Sequence, residues 1–545
     1  MTALHNPVIR GFAPDPSLVR AGDWYYLATS SFEWFPTIPI HRSRDLVHWE
    51  YAGHVEGAAP GGTLAGVPDS GGIWAPSLSW DGERFWVAYS IVRSVGTPYF
   101  DLDTYVSTAM DASGRWSPPQ RIPSHGFDPA LYHEEGRLWL LNLQNDHRPG
   151  GRRFAGIVAT ELDRETLTVV GPTHLLLQHD RLIEGPKLLR RGGWYVLVVA
   201  EGGTGFEHGV RVARGRNLTG PYELDERPLL TARDDPGWPL QKAGHAELVE
   251  TPEGEWYLSH LTARPLKTPE GPRCPLGRET AIQAVTWDAE GWPRLRHGDT
   301  RPAITIETAQ PPRPLRGAGL SSTCGYRRMG ASSHTPPAPG EQPWYTLRSP
   351  VSPTWIDRSA RPGWLRLRGH HGPDSLWAHN LLARRITEHH AEAQVTVHAS
   401  PSTFTESAGL LLWYNTSAYF ALDLTWAEPE GERQSGQQWQ NTGRTVLALT
   451  SRDQDETRGL AVVDIDAVAP LTLGATIDHA EARFWHLTDN IRRPVGPPLD
   501  FTRLSDDHGS RLRFTGAMAA IHTVDLVDAS FTADFTDFRV TCTPG

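Results

Sequence analysis

One pattern of apolar and polar positions recurs five times in the first half of the chain. Each copy begins with a small or acidic residue, usually followed by proline, and reaches a leucine two or three residues later. It then passes a glycine-centred turn and ends in an aromatic and aliphatic run, which is typical of a β-hairpin. The copies begin at Asp15, Ala75, Asp128, Gly185 and Ala246.

The spacing of these copies, 53 to 61 residues, indicates the architecture of this half. Strand-rich repeats of such length predict a β-propeller in which each copy forms one four-stranded blade. The period is too long for most β-helices and too regular for a sandwich. We therefore expect a five-bladed propeller over residues 1–310.

The second half of the chain has a different composition. Residues 311–343 are rich in Pro, Arg, Gly and Ser, without a period of 2 or 3.6, and are predicted to form a linker. Beyond them, segments such as "EAQVTVHA" and "YFALDLTW" alternate or run apolar between turn signals. We expect a β-sandwich over residues 344–545, so the predicted fold class is all-β.

The repeat brings acidic residues together. The first strand of each propeller blade runs beside the central axis, so residues at equivalent starts converge although they are distant in sequence. Asp15 and Asp128 stand at two starts, and Glu184 precedes a third. Trp74 and Phe127 occupy the positions before two starts. The pattern predicts three carboxylates in a cleft with aromatic walls.

The first of these carboxylates lies between two prolines, Pro14 and Pro16. Proline fixes its own φ and favours extended conformations in the residue before it, which predicts that Asp15 is held in a rigid, extended segment. The alternative is an ordinary Asp-Pro turn.

Carboxylates beside aromatic rings suit sugars, whose apolar C–H faces stack on rings while their hydroxyls form hydrogen bonds. Glycoside hydrolysis needs one carboxylic acid and one carboxylate, and a third carboxylate can raise the pKa of the acid. Three carboxylates could instead hold calcium. The flanking residues are bulky aromatics, however, rather than the further oxygen ligands of a calcium site.

Charge and cysteine content narrow the possible partners and the location. A net charge of -11 without a long basic run argues against nucleic acid and against an anionic membrane surface. The N-terminus lacks a charged segment followed by an apolar one, and no 18-residue apolar run occurs. Cys274, Cys324 and Cys542 are odd in number and lack metal-ligand spacing. We expect a soluble, cytoplasmic protein.

Several stretches together resemble glycoside hydrolase family 43, in its β-xylosidase branch: "GFAPDPSLVRAGDWYYLATSS", "GIWAPSL", "GFDPALYHEEGRLWLLN", "IEGPKL", "AEGGTGFEHGV" and "CPLGRETAIQAVTW". The resemblance covers nearly all of residues 5–297. It continues more weakly through "RPGWLRLRG", "AGLLLWYN" and "RFTGAMAAI". It implies a five-bladed propeller with an appended β-sandwich and hydrolysis with inversion of anomeric configuration.

The resemblance also implies residue roles. Asp15 matches the general base, Asp128 the residue that sets the pKa and orientation of the acid, and Glu184 the general acid. The matching substrate-binding residues are Phe32, Trp74, Phe127, Thr204, Arg278 and Phe514. Phe514 is expected to lie on a loop of the sandwich domain that closes the pocket at one end. Alternatively, Phe32 and Trp74 could be core residues and Arg278 part of a structural ion pair.

A cation site and three departures complete the comparison. His245 matches a histidine near the axis where some members place calcium or another divalent cation, although a lone histidine is more often a core residue. Relatives usually have "TEGPH" where this chain has "IEGPK", which ends at Lys187, and "GHGDL" where it has "GHAEL", which contains Glu247. They commonly have tryptophan where this chain has Asn145. A cation facing Glu184 would favour its ionised form and impair acid catalysis, so Lys187 is expected to point away or to contact substrate.

The expected function is an inverting, exo-acting β-1,4-xylosidase that releases xylose from the non-reducing ends of xylo-oligosaccharides and requires no cofactor. An α-L-arabinofuranosidase, or both activities at one site, is the alternative, with arabinose-substituted oligosaccharides as substrates. A sugar-binding propeller that has lost catalysis would lack one of the three carboxylates, and none is missing here. A protein-interaction propeller is disfavoured because its blades are nearer 40 residues long. The sequence leaves the oligomeric state open, a homo-oligomer included.

Overall fold

A computed structural model describes residues 2–308, 343–377, 379–428, 443–454, 456–465 and 469–544. All but the last residue of the predicted linker lies outside these ranges. The described residues form two compact units, one holding residues 2–265 and 277–308, the other residues 266–276 and 343–544. Apart from two 3-10 turns, at Pro60–Gly62 and Phe501–Arg503, the ordered elements in these ranges are strands. Among them no helix has the length and apolar character that crossing a membrane requires.

The first unit contains five antiparallel sheets, here called blades 1 to 5. Each has four strands that pair in chain order, so each blade is one meander. The strands of blades 1 and 2 are Ser17–Ala21, Trp24–Ala28, Pro39–Ser43 and Glu50–His54, then Gly72–Trp80, Phe85–Val92, Leu102–Ala109 and Gln120–Ile122. Those of blade 3 are Ala130–Glu134, Arg137–Asn145, Phe154–Leu162 and Val169–Leu177. Those of blades 4 and 5 are Ile183–Arg191, Trp194–Glu201, Gly209–Gly215 and Tyr222–Leu224, then Gln241–Glu250, Trp256–Ala263, Glu279–Trp287 and Pro293–Leu295.

The five blades close into a ring. First strands of successive blades contact one another, and the first strand of blade 5 contacts that of blade 1. A buried apolar cluster lies between every pair of neighbouring blades, including blades 5 and 1. Middle strands such as Phe85–Val92 are buried at every position because both of their faces are covered. The prediction of a five-bladed propeller is confirmed.

Short strands complete this unit. Thr2–His5 pairs with Thr305–Thr308, which joins the two ends of the propeller sequence. Leu230–Thr231 adds to the third strand of blade 4, and Trp34–Phe35 is a two-residue strand in the connection between the second and third strands of blade 1.

The second unit contains two large antiparallel sheets. The seven-stranded sheet has the order Ile356–Asp357, Leu365–Arg368, Thr532–Thr543, His390–His398, Leu471–Asp478, Glu481–Thr488 and Ile491–Asp500. The six-stranded sheet has the order Leu381–Arg385, Met518–Asp525, Glu406–Asn415, Ala418–Ala427, Arg444–Asp453 and Glu456–Asp464. Thr346–Leu347 and the hairpin Leu266–Thr268 and Gly271–Arg273 also belong to this unit.

One apolar cluster draws residues from both large sheets, so their inner faces form a common core. His390–His398 shows the consequence, since buried and partly exposed residues alternate strictly along it. The predicted β-sandwich is confirmed.

The structure corrects two local predictions. Asp15 is not extended but left-handed, with φ 54°. All five blade starts share this conformation, and the fifth start is His245 rather than Ala246; the φ values are 54° at Asp15, 37° at Ala75, 54° at Asp128, 58° at Gly185 and 47° at His245. The strand register shifts at this point in blades 2, 4 and 5, as in a β-bulge. At Asp15 the conformation that all blade starts share prevails over the extended preference that the following proline imposes.

Candidate active site

Three carboxylates from different blades share the centre of the propeller. Asp15 and Asp128 are the left-handed starts of blades 1 and 3, and Glu184 precedes the left-handed Gly185 of blade 4. Their exposed fractions are only 6%, 6% and 7%. Each is close enough to another to influence its titration. The structure therefore brings together the three acidic residues that the repeat selected.

A guanidinium, a hydroxyl and an imidazole surround Asp15. The Arg278 guanidinium lies 3.2 Å from Oδ1, the Ser30 hydroxyl donates to Oδ2 at 2.6 Å, and His245 Nδ1 is 3.8 Å from Oδ1. Burial by itself would raise the pKa of Asp15. Arg278, followed by His245, Ser30 and His208, outweighs burial and lowers that pKa below its usual value. Asp15 is therefore ionised at neutral pH.

Glu184 has the opposite environment. Burial first, and then the negative charge of Asp15, raise the pKa of Glu184 to about 7, although Arg278 opposes the change. A carboxyl group with such a pKa carries a proton in a large fraction of molecules at neutral pH. It can therefore donate that proton to a substrate.

Asp128 titrates together with Glu184. Burial, then Glu184 and Asp15, raise the pKa of Asp128 well above its usual range. The backbone N–H of Gly185, which donates to Asp128 Oδ2 at 3.0 Å, and the charge of Lys187 act in the other direction. Two neighbouring carboxyls that both resist ionisation share a proton, and their titration belongs to the pair.

Aromatic rings form a continuous wall in this part of the propeller. The centroid of Trp74 lies 6.1 Å from that of Phe32 and 5.7 Å from that of Phe127. Phe100, which the sequence analysis missed, extends the wall at 5.3 Å from Phe127. Phe32 and Phe127 are buried, whereas Trp74 is half-buried. Such a surface can receive the apolar face of a sugar ring.

The backbone fixes the first ring of this wall. Phe32 has φ 50° and exchanges two backbone hydrogen bonds with Ile73, at 2.9 and 3.0 Å. A Cβ at Gly72 would lie 2.3 Å from the Phe32 carbonyl oxygen, so only glycine permits this approach. Blade 1 and blade 2 are thereby locked together beside the carboxylates.

Arg278 forms the ion pair that was one of the two interpretations offered for it. Its guanidinium pairs with Asp15 and lies 5.7 Å from the Phe32 ring centroid. Its backbone carbonyl accepts a hydrogen bond from Ala13, two residues before Asp15. The ion pair is therefore part of the carboxylate site, and any contact of Arg278 with sugar hydroxyls stays a prediction.

Two further predicted sugar contacts lie elsewhere. Thr204 is half-buried in the connection between the second and third strands of blade 4. Phe514 is half-buried in the second unit, in the segment before Met518–Asp525. Their contacts with substrate stay predictions.

The imidazole of His245 packs against Gly185, where an added Cβ would approach the ring to 2.9 Å. The predicted cation beside His245 stays a prediction. In the described ranges, two groups of three side chains have ligand atoms close enough to hold a metal ion, and both groups belong to the second unit: His390, Asp478 and His479, and Cys274, Asp506 and Asp507.

Lys187 takes part in a buried polar cluster. Its Nζ donates to Ser77 Oγ at 2.7 Å and to Ser17 Oγ at 3.1 Å, and Glu247 Oε2 lies 3.4 Å away. The sequence analysis had expected this side chain to point away from the acid or to contact substrate. It missed both serines, although each stands two residues after a blade start, as Lys187 does.

Sequence analysis did not single out Ser30 or His208, because neither belongs to a blade start. Asn145, the third departure from related sequences, ends the second strand of blade 3 and is half-buried. Its effect on specificity stays a prediction.

Comparisons with known proteins were consistent across the chain. The family described as glycosyl hydrolases family 43 matches residues 4–293. The domain described as the beta xylosidase C-terminal Concanavalin A-like domain matches residues 341–541.

Two curated proteins and a crystal structure are similar over the full length. Xylosidase/arabinosidase 43B of Humicola insolens is 36% identical over 546 residues, covering 99% of this chain and 97% of that protein. Xylan 1,3-beta-xylosidase of a Vibrio species is 34% identical over 564 residues, covering 99% of both. The crystal structure of xylan beta-1,4-xylosidase from Bacillus halodurans C-125 is 37% identical, with a TM-score of 0.90, covering 99% of this chain and 100% of that one.

Proposed function

The chain belongs to glycosyl hydrolase family 43 and is a glycoside hydrolase, and we propose that it removes xylose from the non-reducing ends of β-1,4-xylo-oligosaccharides with inversion. The observation that carries this proposal is the contrast among the buried carboxyls. Asp15 is held ionised, whereas burial raises the pKa values of Asp128 and Glu184, so that this pair of carboxyls retains one proton near neutral pH. A base and an acid thus coexist in one site.

In the proposed reaction, Asp15 accepts a proton from water as that water attacks the anomeric carbon. Glu184 donates its proton to the departing glycosidic oxygen, and Asp128 orients Glu184 and adjusts its pKa. Inversion needs space for the water, which in inverting enzymes separates the two carboxyl groups by roughly 6.5–9.5 Å. These roles use only side chains of the chain.

The choice of sugar rests on the relatives. The Bacillus halodurans protein is named a beta-1,4-xylosidase and the Vibrio protein a 1,3-beta-xylosidase. The name of the Humicola protein includes arabinosidase, which supports α-L-arabinofuranosidase as a second activity at the same site. Xylose and arabinofuranose present similar hydroxyl geometry to the aromatic wall and to Arg278.

Proton NMR of xylobiose hydrolysis tests the main proposal. We expect α-xylose to appear before mutarotation, and we expect β-1,4-xylobiose to be cleaved faster than β-1,3-xylobiose or an aryl α-L-arabinofuranoside. Xylotetraose labelled at its reducing end should shorten by one xylose at a time. First appearance of β-xylose would overturn the roles of Asp15 and Glu184, and faster arabinoside cleavage would favour the second activity.

We also propose that the reaction requires no cofactor. Activity retained after dialysis against EDTA would support this proposal. A loss of activity that calcium restores would instead support the predicted cation beside His245.

A cytoplasmic location is proposed from the cysteine chemistry. Among the described residues, Cys274 and Cys542 take part in no disulfide, and reduced cysteines persist in a reducing compartment. Short xylo-oligosaccharides would then be cleaved after import. Cell fractionation tests the location.

A further inference from the structure

In each blade, the residue two positions after the left-handed start faces the propeller axis, as do the equivalent residues of the other blades. These residues, two positions after the left-handed starts, are Ser17, Ser77, Ala130, Lys187 and Glu247. The first strands surround the axis, so these positions meet although up to 230 residues separate them in sequence. We call the four polar members the axial cluster.

The axial cluster fixes one ammonium group in place. Lys187 Nζ has three acceptors within reach: Ser77 Oγ at 2.7 Å, Ser17 Oγ at 3.1 Å and Glu247 Oε2 at 3.4 Å. Glu247 Oε2 is itself held by the Ser17 hydroxyl at 2.6 Å and the Leu18 N–H at 2.9 Å. The Lys187 side chain is 8% exposed. A buried ammonium with three acceptors is a fixed point charge.

The use of lysine here is specific. Only three of the 52 lysine and arginine residues in the chain are lysines: Lys187, Lys242 and Lys267. Lys267 is exposed, whereas Lys187 is buried at the axis. A planar guanidinium is too large to replace the compact ammonium between two serine hydroxyls. The chain therefore uses lysine where a compact cation is required.

The cation acts on one member of the carboxyl pair. Burial lowers the pKa of Lys187, but Glu247 and Asp128 act in the opposite direction and favour its charged form. In return, the charge of Lys187 lowers the pKa of Asp128. His245 also feels this charge, but burial keeps that imidazole neutral. Lys187 thus favours an ionised Asp128.

The charges that act on Glu184 are different. They are those of Asp15, which favours its protonated form, and of Arg278, which opposes it. Arg278 also acts on Asp15, as do His245 and His208. The strand of Lys187 reaches Asp128 directly, because the N–H of Gly185, two residues before Lys187, donates to Asp128 Oδ2 at 3.0 Å, and the charge of the axial cluster acts on Asp128.

We propose that Lys187 is a positioning residue that directs the proton shared by Asp128 and Glu184 onto Glu184. A cation beside Asp128 stabilises the arrangement in which Asp128 is ionised and Glu184 holds the proton. That arrangement is the one acid catalysis needs, so Lys187 assists the acid rather than impairing it. The inference rests on the proposed function and adds a group outside the three carboxyls that carry out the reaction.

Lys187→Met tests the inference, because methionine has similar length and no charge. Without the cation, Asp128 holds the shared proton more often and fewer molecules have a protonated Glu184. We expect kcat/KM for xylobiose to fall about tenfold or more, which corresponds to one unit or more of changed relative pKa. The 2,4-dinitrophenyl β-xyloside, whose leaving group needs no proton, should react within about twofold of wild type.

A double variant separates this role from stability. Lys187→Met removes the only cation that the axial cluster places beside the half-buried Glu247 and should lower the unfolding temperature. Adding Glu247→Gln removes that unpaired charge, so stability should recover while the selective loss on xylobiose persists. Lys267→Met, at an exposed site, should leave kcat/KM unchanged for both substrates.

Two results would overturn the inference. The first is an equal fall in kcat/KM for both substrates in Lys187→Met. The second is a double variant in which the rate of xylobiose cleavage recovers together with the unfolding temperature. A wild-type protein that cleaves neither substrate would overturn the proposed function instead.

Discussion

Ser30 ties the proposed base to the neighbouring blade, which makes its removal a sharp test of the site. The Ser30 hydroxyl donates to Asp15 Oδ2 at 2.6 Å and accepts from the Ala75 N–H at 2.7 Å. Ser30 is 2% exposed, so water cannot simply replace it. Ser30→Ala deletes both hydrogen bonds and leaves a buried N–H beside a buried carboxylate.

The expected magnitude follows from these contacts. A hydrogen bond to a charged group contributes about 1.5–3 kcal/mol, and a buried N–H left unpaired costs about 1–3 kcal/mol. We expect the free energy of unfolding at pH 7 to fall by about 3 kcal/mol. The lost bond to the carboxylate alone corresponds to a rise of about one to two units in the pKa of Asp15.

The pH dependence has a definite sign. The pKa of Asp15 is below its ordinary value of 3.8 in the folded protein, so the carboxylate contributes stability above that value and loses it as pH falls through the folded pKa. Ser30→Ala raises the folded pKa and reduces this contribution. The acidic limb of kcat/KM should therefore move to higher pH by about one unit or more, because the base must be ionised.

Ser31→Ala is the matched control. Ser31 is also 2% exposed, and its hydroxyl accepts the Ile38 N–H at 3.2 Å. Denaturant unfolding should show a loss of stability in both variants. The acidic limb, measured with xylobiose, should move only in Ser30→Ala. An unmoved limb in folded Ser30→Ala would refute the assignment of Asp15 as the ionised base.

Three other outcomes are expected. For wild type, kcat/KM on xylobiose should decline above a pH of about 7, because burial and Asp15 raise the pKa of Glu184 to about 7, whereas a 2,4-dinitrophenyl xyloside should show no such decline. Glu184→Gln should lose about 10²- to 10⁴-fold in kcat on xylobiose and far less on the dinitrophenyl substrate, as steady-state kinetics would reveal. Gly185→Ala should lower the unfolding temperature more than Gly192→Ala, since both have a left-handed backbone but only the first would press against His245.

The parts of the fold that the sequence predicts are those that repeat. Five copies of one hairpin pattern specify five blades, and equivalence between copies implies that their starts converge on one axis. This reasoning located Asp15, Asp128 and Glu184 near one another and placed Trp74 and Phe127 beside them. No pairwise contact had to be known, because the symmetry of the repeat supplies the proximity.

Single, non-repeated features were beyond this reasoning. The left-handed conformation of Asp15 contradicts the local preference before proline, and the other four blade starts share it although their sequences differ. Ser30 follows the second strand of blade 1 and Phe100 precedes the third strand of blade 2, and the blade starts alone do not indicate that either residue reaches the site. Their roles follow from tertiary contacts, which periodicity does not encode.

Charge balance explains why an acid persists in this buried centre. The site and the axial cluster together hold four carboxyl groups and two fixed cations: Asp15, Asp128, Glu184 and Glu247, with Arg278 and Lys187. The neighbouring imidazoles add no charge, since burial lowers the pKa of His245 to about 4 and that of His208 to about 3. Four ionised carboxylates would leave an excess of two negative charges in a buried region, which is strongly unfavourable. Uptake of one proton halves that excess, and the cation beside Asp128 favours Glu184 as the group that receives it.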